Sequence, residues 1–91
     1  MFRLISISPE PSNDPELSSY VLHVETENET LSYWAEVRPG SNGDQIDWAD
    51  EFQDLLLQHD ILATDYGKIS DAIHSVHCNV QVMFPLSYGA A

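Results

Sequence analysis

The apolar positions of this chain change period twice. From the N-terminus they alternate with polar residues, as strands do. Past the middle they recur every three or four residues, as on helices, and near the C-terminus they alternate again. The segment "FRLISIS" (2–8) predicts a first strand from its β-branched content and the loop that follows. Its two faces are both partly apolar, Phe2 and Leu4 on one and Ile5 and Ile7 on the other, so the pattern leaves open which pair is buried. "PEPSNDPE" (9–16), with three prolines, reads as a loop. "SYVLHVETE" (19–27) alternates more cleanly, with Tyr20, Leu22 and Val24 on one face. After a hairpin turn at "ENE" (27–29), "LSYWAEVR" (31–38) places Leu31, Tyr33, Ala35 and Val37 inward, and Ser32, Trp34, Glu36 and Arg38 outward. "PGSNG" (39–43) stops that strand.

The period then lengthens. Read as one helix, "DQIDWADEFQDLLLQHD" (Asp44–Asp60) gathers Trp48, Ala49, Phe52, Leu55, Leu56 and His59 in an arc of about 120°. Asp47, Asp50, Glu51, Asp54 and Gln58 fall in another arc about 100° wide. Ile46 and Leu57 flank the apolar stripe and widen it, and Asn42 or Asp44 caps the start. A second helix is predicted over Asp65–Val76, with Ile69, Ala72, Ile73 and Val76 on one face and Thr64 or Asp65 as its cap. "CNVQVMF" (78–84) predicts a last strand with Val80, Val82 and Phe84 inward, ended by Pro85, and "LSYGAA" reads as a tail.

The order β-β-β-α-α-β predicts one α+β domain over residues 1–91, a mainly antiparallel sheet of about four strands with both helices on one face. Tyr20, Leu22, Val24, Leu31, Tyr33, Val37, Phe52, Leu56, Ile73, Val80 and Val82 form the expected core, joined by one of the two apolar pairs of the first strand.

Charge changes the picture from fold to partner. Fifteen Asp and Glu face three Lys and Arg among 91 residues, a formal net charge of -12. Such a surface repels nucleic acid and anionic membrane and speeds encounter with basic proteins. Cys78 is the only cysteine, so no intrachain disulfide forms, which fits a reducing compartment. The opening "MFRLISISPEP" is too short and polar for a signal peptide and no run is long enough to span a bilayer; the expectation is a cytoplasmic protein.

The charge is concentrated. Asp44–Asp60 carries six carboxylates and no Lys or Arg. A charged helix face is commonly just the solvated one. On a single helix, however, Asp47–Glu51 and Asp50–Asp54 are like-charge i, i+4 pairs, each costing about 0.2–0.5 kcal/mol. The helix dipole favours carboxylates in the first turn only. The expectation is a ridge of Asp47, Asp50, Glu51 and Asp54, with Gln58, roughly 10–11 Å long and facing a cationic partner. Trp34 with Glu36 on the outer sheet face is the second candidate surface, with His23 nearby; Trp34 is exposed if the helices cover the other face, and the alternative is that a helix or the proline-rich loop covers it.

Other chemistry has little support. "HSVHC" offers His74, His77 and Cys78 as zinc ligands, yet only His23 and His59 remain to complete a site of three or four, so no metal or other cofactor is expected. There is no glycine-rich phosphate loop and no EF-hand spacing, and 91 residues leave little room for a pocket beside a core; no enzymatic activity is expected.

In size, charge and αβ layout the whole chain resembles the small acidic immunity proteins of bacterial toxin systems, including contact-dependent growth inhibition. The resemblance assigns no residues. It implies a cytoplasmic inhibitor that binds one cognate toxin, here a nuclease whose cationic cleft it covers. The alternative is a phage-type nucleic-acid mimic that blocks restriction or CRISPR machinery, which should spread carboxylates over a longer surface.

Overall fold

The computed structural model describes residues 2–61 and 63–88. The elements are β1 (Phe2–Glu10), β2 (Ser18–Thr26), β3 (Thr30–Arg38), β4 (Gln45–Trp48), α1 (Asp50–Gln58), α2 (Ala63–His77) and β5 (Leu86–Ser87). The strands form one sheet in the order β4-β3-β2-β1-β5, every pair antiparallel. The α+β class expected from the sequence is the class observed, with five strands.

The sheet grows from the β2–β3 hairpin. Its register sets Tyr20 opposite Ala35, Leu22 opposite Tyr33 and Val24 opposite Leu31, so the apolar alternations of both strands share one face. The Thr26 backbone N–H closes the turn by donating to the Glu29 carbonyl at 2.9 Å.

β1 resolves its two-faced pattern with a bulge. Leu4 pairs with Val24 and Ser6 with His23, leaving Ile5 as the extra residue. One inserted residue reverses the alternation beyond it. Phe2, Leu4 and Ile7 are therefore all buried, a combination that strict period two forbids.

The helix predicted over Asp44–Asp60 is shorter by its whole first part. Residues 45–48 are strand β4, paired with β3 through Val37↔Ile46 and Ala35↔Trp48. "QIDW" alternates polar and apolar, so it satisfies period two as well as the helical period. The open edge of β3 supplies hydrogen bonds for backbone groups that would otherwise need other partners. α1 starts at Asp50, and its N-cap is Ala49 in an extended conformation with no side-chain cap, not Asn42 or Asp44. The Ala49 N–H instead donates to the Trp34 carbonyl at 3.2 Å. Leu57 does not widen the buried stripe, being 60% exposed. α2 begins at Ala63, which places Thr64 and Asp65 inside its first turn instead of at the cap.

Both helices end in the same way. Asp60 and Asn79 take left-handed backbone at φ 54 and 59. After α1, Ile61 N–H reaches Leu56 O and Asp60 N–H reaches Leu57 O; after α2, Val80 N–H reaches Ser75 O and Asn79 N–H reaches Val76 O. These are Schellman caps, which satisfy carbonyls that the helix leaves open. The second one also corrects the last predicted strand. The cap of α2 uses the Val80 N–H, Val80 is 57% exposed, and residues 78–84 join no ladder. Val82, Phe84, Leu86 and Tyr88 still alternate against the core, so period two here reports burial without a sheet until Leu86–Ser87 pair with Arg3–Leu4.

Both helices cover the inner face of the sheet. Phe52 is fully buried among rings, with centroids 5.4 Å from Tyr33, 5.4 Å from Trp48 and 6.3 Å from Phe2. Leu56, Ile69 and Ile73 complete the contact with Leu4, Leu22 and Val24. Of the expected core, Leu31, Tyr33 and Val82 are partly buried against this cluster, and Val80 lies outside it.

Candidate partner-binding surface

The three basic side chains are all committed. Arg3 pairs with Glu25, Lys68 Nζ lies 3.2 Å from Asp65, and Arg38 Nη2 lies 3.9 Å from Glu36. Asp47, Asp50, Glu51 and Asp54 are exposed, and among the described residues none of them makes an ion pair. These four thus carry uncompensated charge, as other carboxylates of the chain also do, but the predicted partner-binding residues do not form one ridge.

The strand–helix boundary at Ala49 divides them. Asp50, Glu51, Asp54 and Gln58 lie on the exposed face of α1. Asp50 and Glu51 occupy its first turn, where the helix dipole stabilises a carboxylate by about 0.3–1 kcal/mol. Only the Asp50–Asp54 pair remains as an uncompensated i, i+4 repulsion. Leu57 joins the same exposed face, so this surface is shorter and less purely acidic than a continuous helix makes it. Gln58 and His59 also border a shallow depression of about 260 Å³ beside the turn at Glu27–Glu29.

Asp47 belongs to the sheet. It stands directly opposite Glu36 in the β3–β4 register, and Val21 stands opposite Trp34. Ile46 and Trp48 alternate toward the core, so Asp47, Glu36 and Trp34 share the face that the helices leave uncovered. Trp34 is 47% exposed there, as expected if the helices cover the opposite face. His23 lies on this face too, its Nδ1 3.1 Å from Ser32 Oγ. Like charges directly opposite across a ladder destabilise it. Arg38 relieves Glu36 only at long range, well beyond the 2.7–2.9 Å of a charge-assisted hydrogen bond. Trp48 serves as an anchor. Its indole N–H donates to Gln53 Oε1 at 3.0 Å and its ring meets Phe52 and Tyr66 edge-on.

Of the "HSVHC" residues, His74 and Cys78 lie together and His77 has a separate partner. His74 Nε2 lies 3.1 Å from Asp44 Oδ2, with Cys78 Sγ 3.7 Å from the same nitrogen. His77 Nδ1 lies 2.9 Å from the Tyr20 hydroxyl. Burial, and then the nearby Cys78, push the Tyr20 phenol above its ordinary range. Among the described residues no three His, Cys, Asp or Glu side chains converge as a metal site. The contacts tie the C-terminal end of α2 to the β3–β4 loop and to β2. Asp44 is 30 residues from His74, a pairing that no local spacing rule reveals.

A groove of about 580 Å³ runs between α2 and the C-terminal segment, bordered by Asp65, Lys68, Asp71, Met83, Leu86 and Tyr88. Burial, with Asp65 adding to it, pushes the Tyr88 phenol up to about 12. Among the described residues no helix is long and apolar enough to cross a membrane. Comparison of the chain with protein-family models, curated proteins and solved structures finds no match.

Proposed function

We propose that this protein is an acidic binding protein that neutralises a basic partner, acting as an immunity protein that covers the cationic cleft of a cognate nuclease-type toxin. The observation that carries the reading is the charge balance of β4 and α1. Asp47, Asp50, Glu51 and Asp54 are exposed and, among the described residues, without an ion pair, while Arg3 and Lys68 are engaged elsewhere and Arg38 lies 3.9 Å from Glu36. A nuclease cleft holds phosphates with Lys and Arg. A rigid set of carboxylates meets the same cations without any chemistry of its own, and a net charge of -12 steers the encounter.

The test is inhibition. The nuclease-type product of a neighbouring reading frame is assayed with and without this chain, at low and high salt. The expected result is stoichiometric inhibition, with association that slows as salt rises. Joint substitution of Asp47→Asn, Asp50→Asn, Glu51→Gln and Asp54→Asn weakens it. Nuclease activity that is indifferent to saturating amounts of the chain overturns the reading.

A further inference from the structure

Resting on that reading, we infer that the anchor of the interface is the uncovered sheet face around Trp34, Glu36 and Asp47, and that it receives an arginine side chain of the basic partner. Three observations meet there. Trp34 is 47% exposed beside its cross-strand neighbour Val21, which makes a flat apolar platform in the middle of a solvated sheet. Glu36 and Asp47 stand opposite each other on the next pair of positions, two like charges held together by the ladder. Among the described residues the single Lys or Arg in reach, Arg38, lies 3.9 Å from Glu36, and Asp47 has no ion pair.

A planar guanidinium matches both parts of this arrangement. Its face stacks on the indole ring, the best cation–π acceptor among the side chains. Its N–H fork reaches a carboxylate in two parallel hydrogen bonds. It also brings positive charge to the Glu36–Asp47 pair, where the chain itself supplies too little. Lysine supplies the charge but neither the plane nor the fork, so the surface favours arginine. The α1 face lacks the aromatic platform, and its two first-turn carboxylates already have a stabilising role in the helix.

The probes are arginine and lysine homopeptides of equal length, titrated into the labelled full chain and followed by amide and indole N–H resonances. The Trp48 indole, bonded to Gln53, is the internal reference for the core side. The expected result is saturable shifts at the Trp34 indole and at the amides of Glu36 and Asp47, with tighter binding of the arginine peptide. Trp34→Leu is expected to weaken that peptide by about two- to tenfold and to erase the preference over lysine. Trp34→Phe, which keeps an aromatic ring in the strand, falls between. Glu36→Gln with Asp47→Asn weakens both peptides.

Saturable shifts centred on Asp50, Glu51 and Asp54, equal for the two peptides and unaffected by Trp34→Leu, overturn this inference and leave the neutralising function standing on α1. Absence of saturable binding by either peptide also overturns this inference, while the neutralising function stands or falls by the inhibition assay.

Discussion

Asp54→Lys separates the local electrostatics of α1 from everything else in the domain. Asp54 is the fifth of nine residues in the helix, exposed, and without an ion pair among the described residues. Its neighbour one turn back is Asp50. The substitution removes a like-charge pair, a gain of about 0.2–0.5 kcal/mol, and creates an acid-before-base pair in the favourable order, a gain of similar size. Lysine is also the better helix former by a few tenths of a kcal/mol. Together these come to roughly 0.5–1.5 kcal/mol, which for a domain of this size raises Tm by roughly 2–12 °C. The net charge moves from -12 to -10, since one acid is lost and one base gained. The gain should shrink in molar salt, where the Debye length is about 3 Å and only the propensity difference survives.

Glu51→Lys is the control, because the strand–helix boundary decides its sign. Were Asp44–Asp60 one helix, the new lysine would follow Asp47 by four residues and stabilise it. With Asp47 on β4 and Glu51 in the first turn of α1, the substitution instead replaces an anion by a cation at the positive end of the helix dipole, a loss of about 0.3–1 kcal/mol net of the new i, i+3 attraction to Asp54. Thermal melts followed by circular dichroism at low and high salt measure both variants. A low-salt Tm that falls or stays fixed with Asp54→Lys refutes the electrostatic account of α1. A rise with Glu51→Lys that matches it refutes the boundary at Ala49.

Other outcomes follow from the packing and the titrating groups. Phe52→Ala, which empties a site ringed by Phe2, Tyr33 and Trp48, should cost about 3–5 kcal/mol in guanidinium unfolding, a large part of the total for 91 residues; a midpoint that scarcely moves means α1 docks by another face. At Asp60, where φ is 54, Asp60→Ala should be less stable than Asp60→Gly by about 1–2 kcal/mol, since only the alanine side chain opposes left-handed backbone; equal melting points would remove the cap from the account. Alkaline stability has a defined sign. The Tyr88 phenol keeps its proton in the folded chain up to about 12 against an ordinary 10.0, so the unfolded chain ionises first and stability falls as pH rises from about 10 to about 12. Tyr88→Phe should flatten that fall, and an unchanged slope of unfolding free energy against pH would show that Tyr88 is not its source.

The expected acidic site was legible only in part. Its residue types and its excess of charge are properties of composition, and Asp50, Glu51, Asp54 and Gln58 do share one helix face. The grouping of Asp47 with them rested on continuing the helical period through "QIDW", a segment too short to separate two periods by itself. Its pairing with β3 moved Asp47 to the opposite layer and set it against Glu36. The Asp44–His74 contact was out of reach for a simpler reason: its partners meet only after two segments far apart in sequence have packed.

What the sequence determined alone are the elements whose side chains repeat one period over a full length. The alternation of Tyr20, Leu22 and Val24 against Leu31, Tyr33, Ala35 and Val37 specifies the central hairpin and its buried face, because a slip of one residue would expose all of them. The spacing of Ile69, Ala72 and Ile73 likewise specifies the face of α2. The tertiary structure decided where the two periods compete or where a backbone group needed a distant partner. The open edge of β3 drew residues 45–48 into the sheet, and a bulge at Ile5 let Leu4 and Ile7 both enter the core. The cap of α2 took the Val80 N–H from a strand that the alternation around it predicted. Side-chain periodicity records which residues seek burial. Backbone hydrogen bonds then settle how a short segment achieves it, and their partners lie elsewhere in the chain.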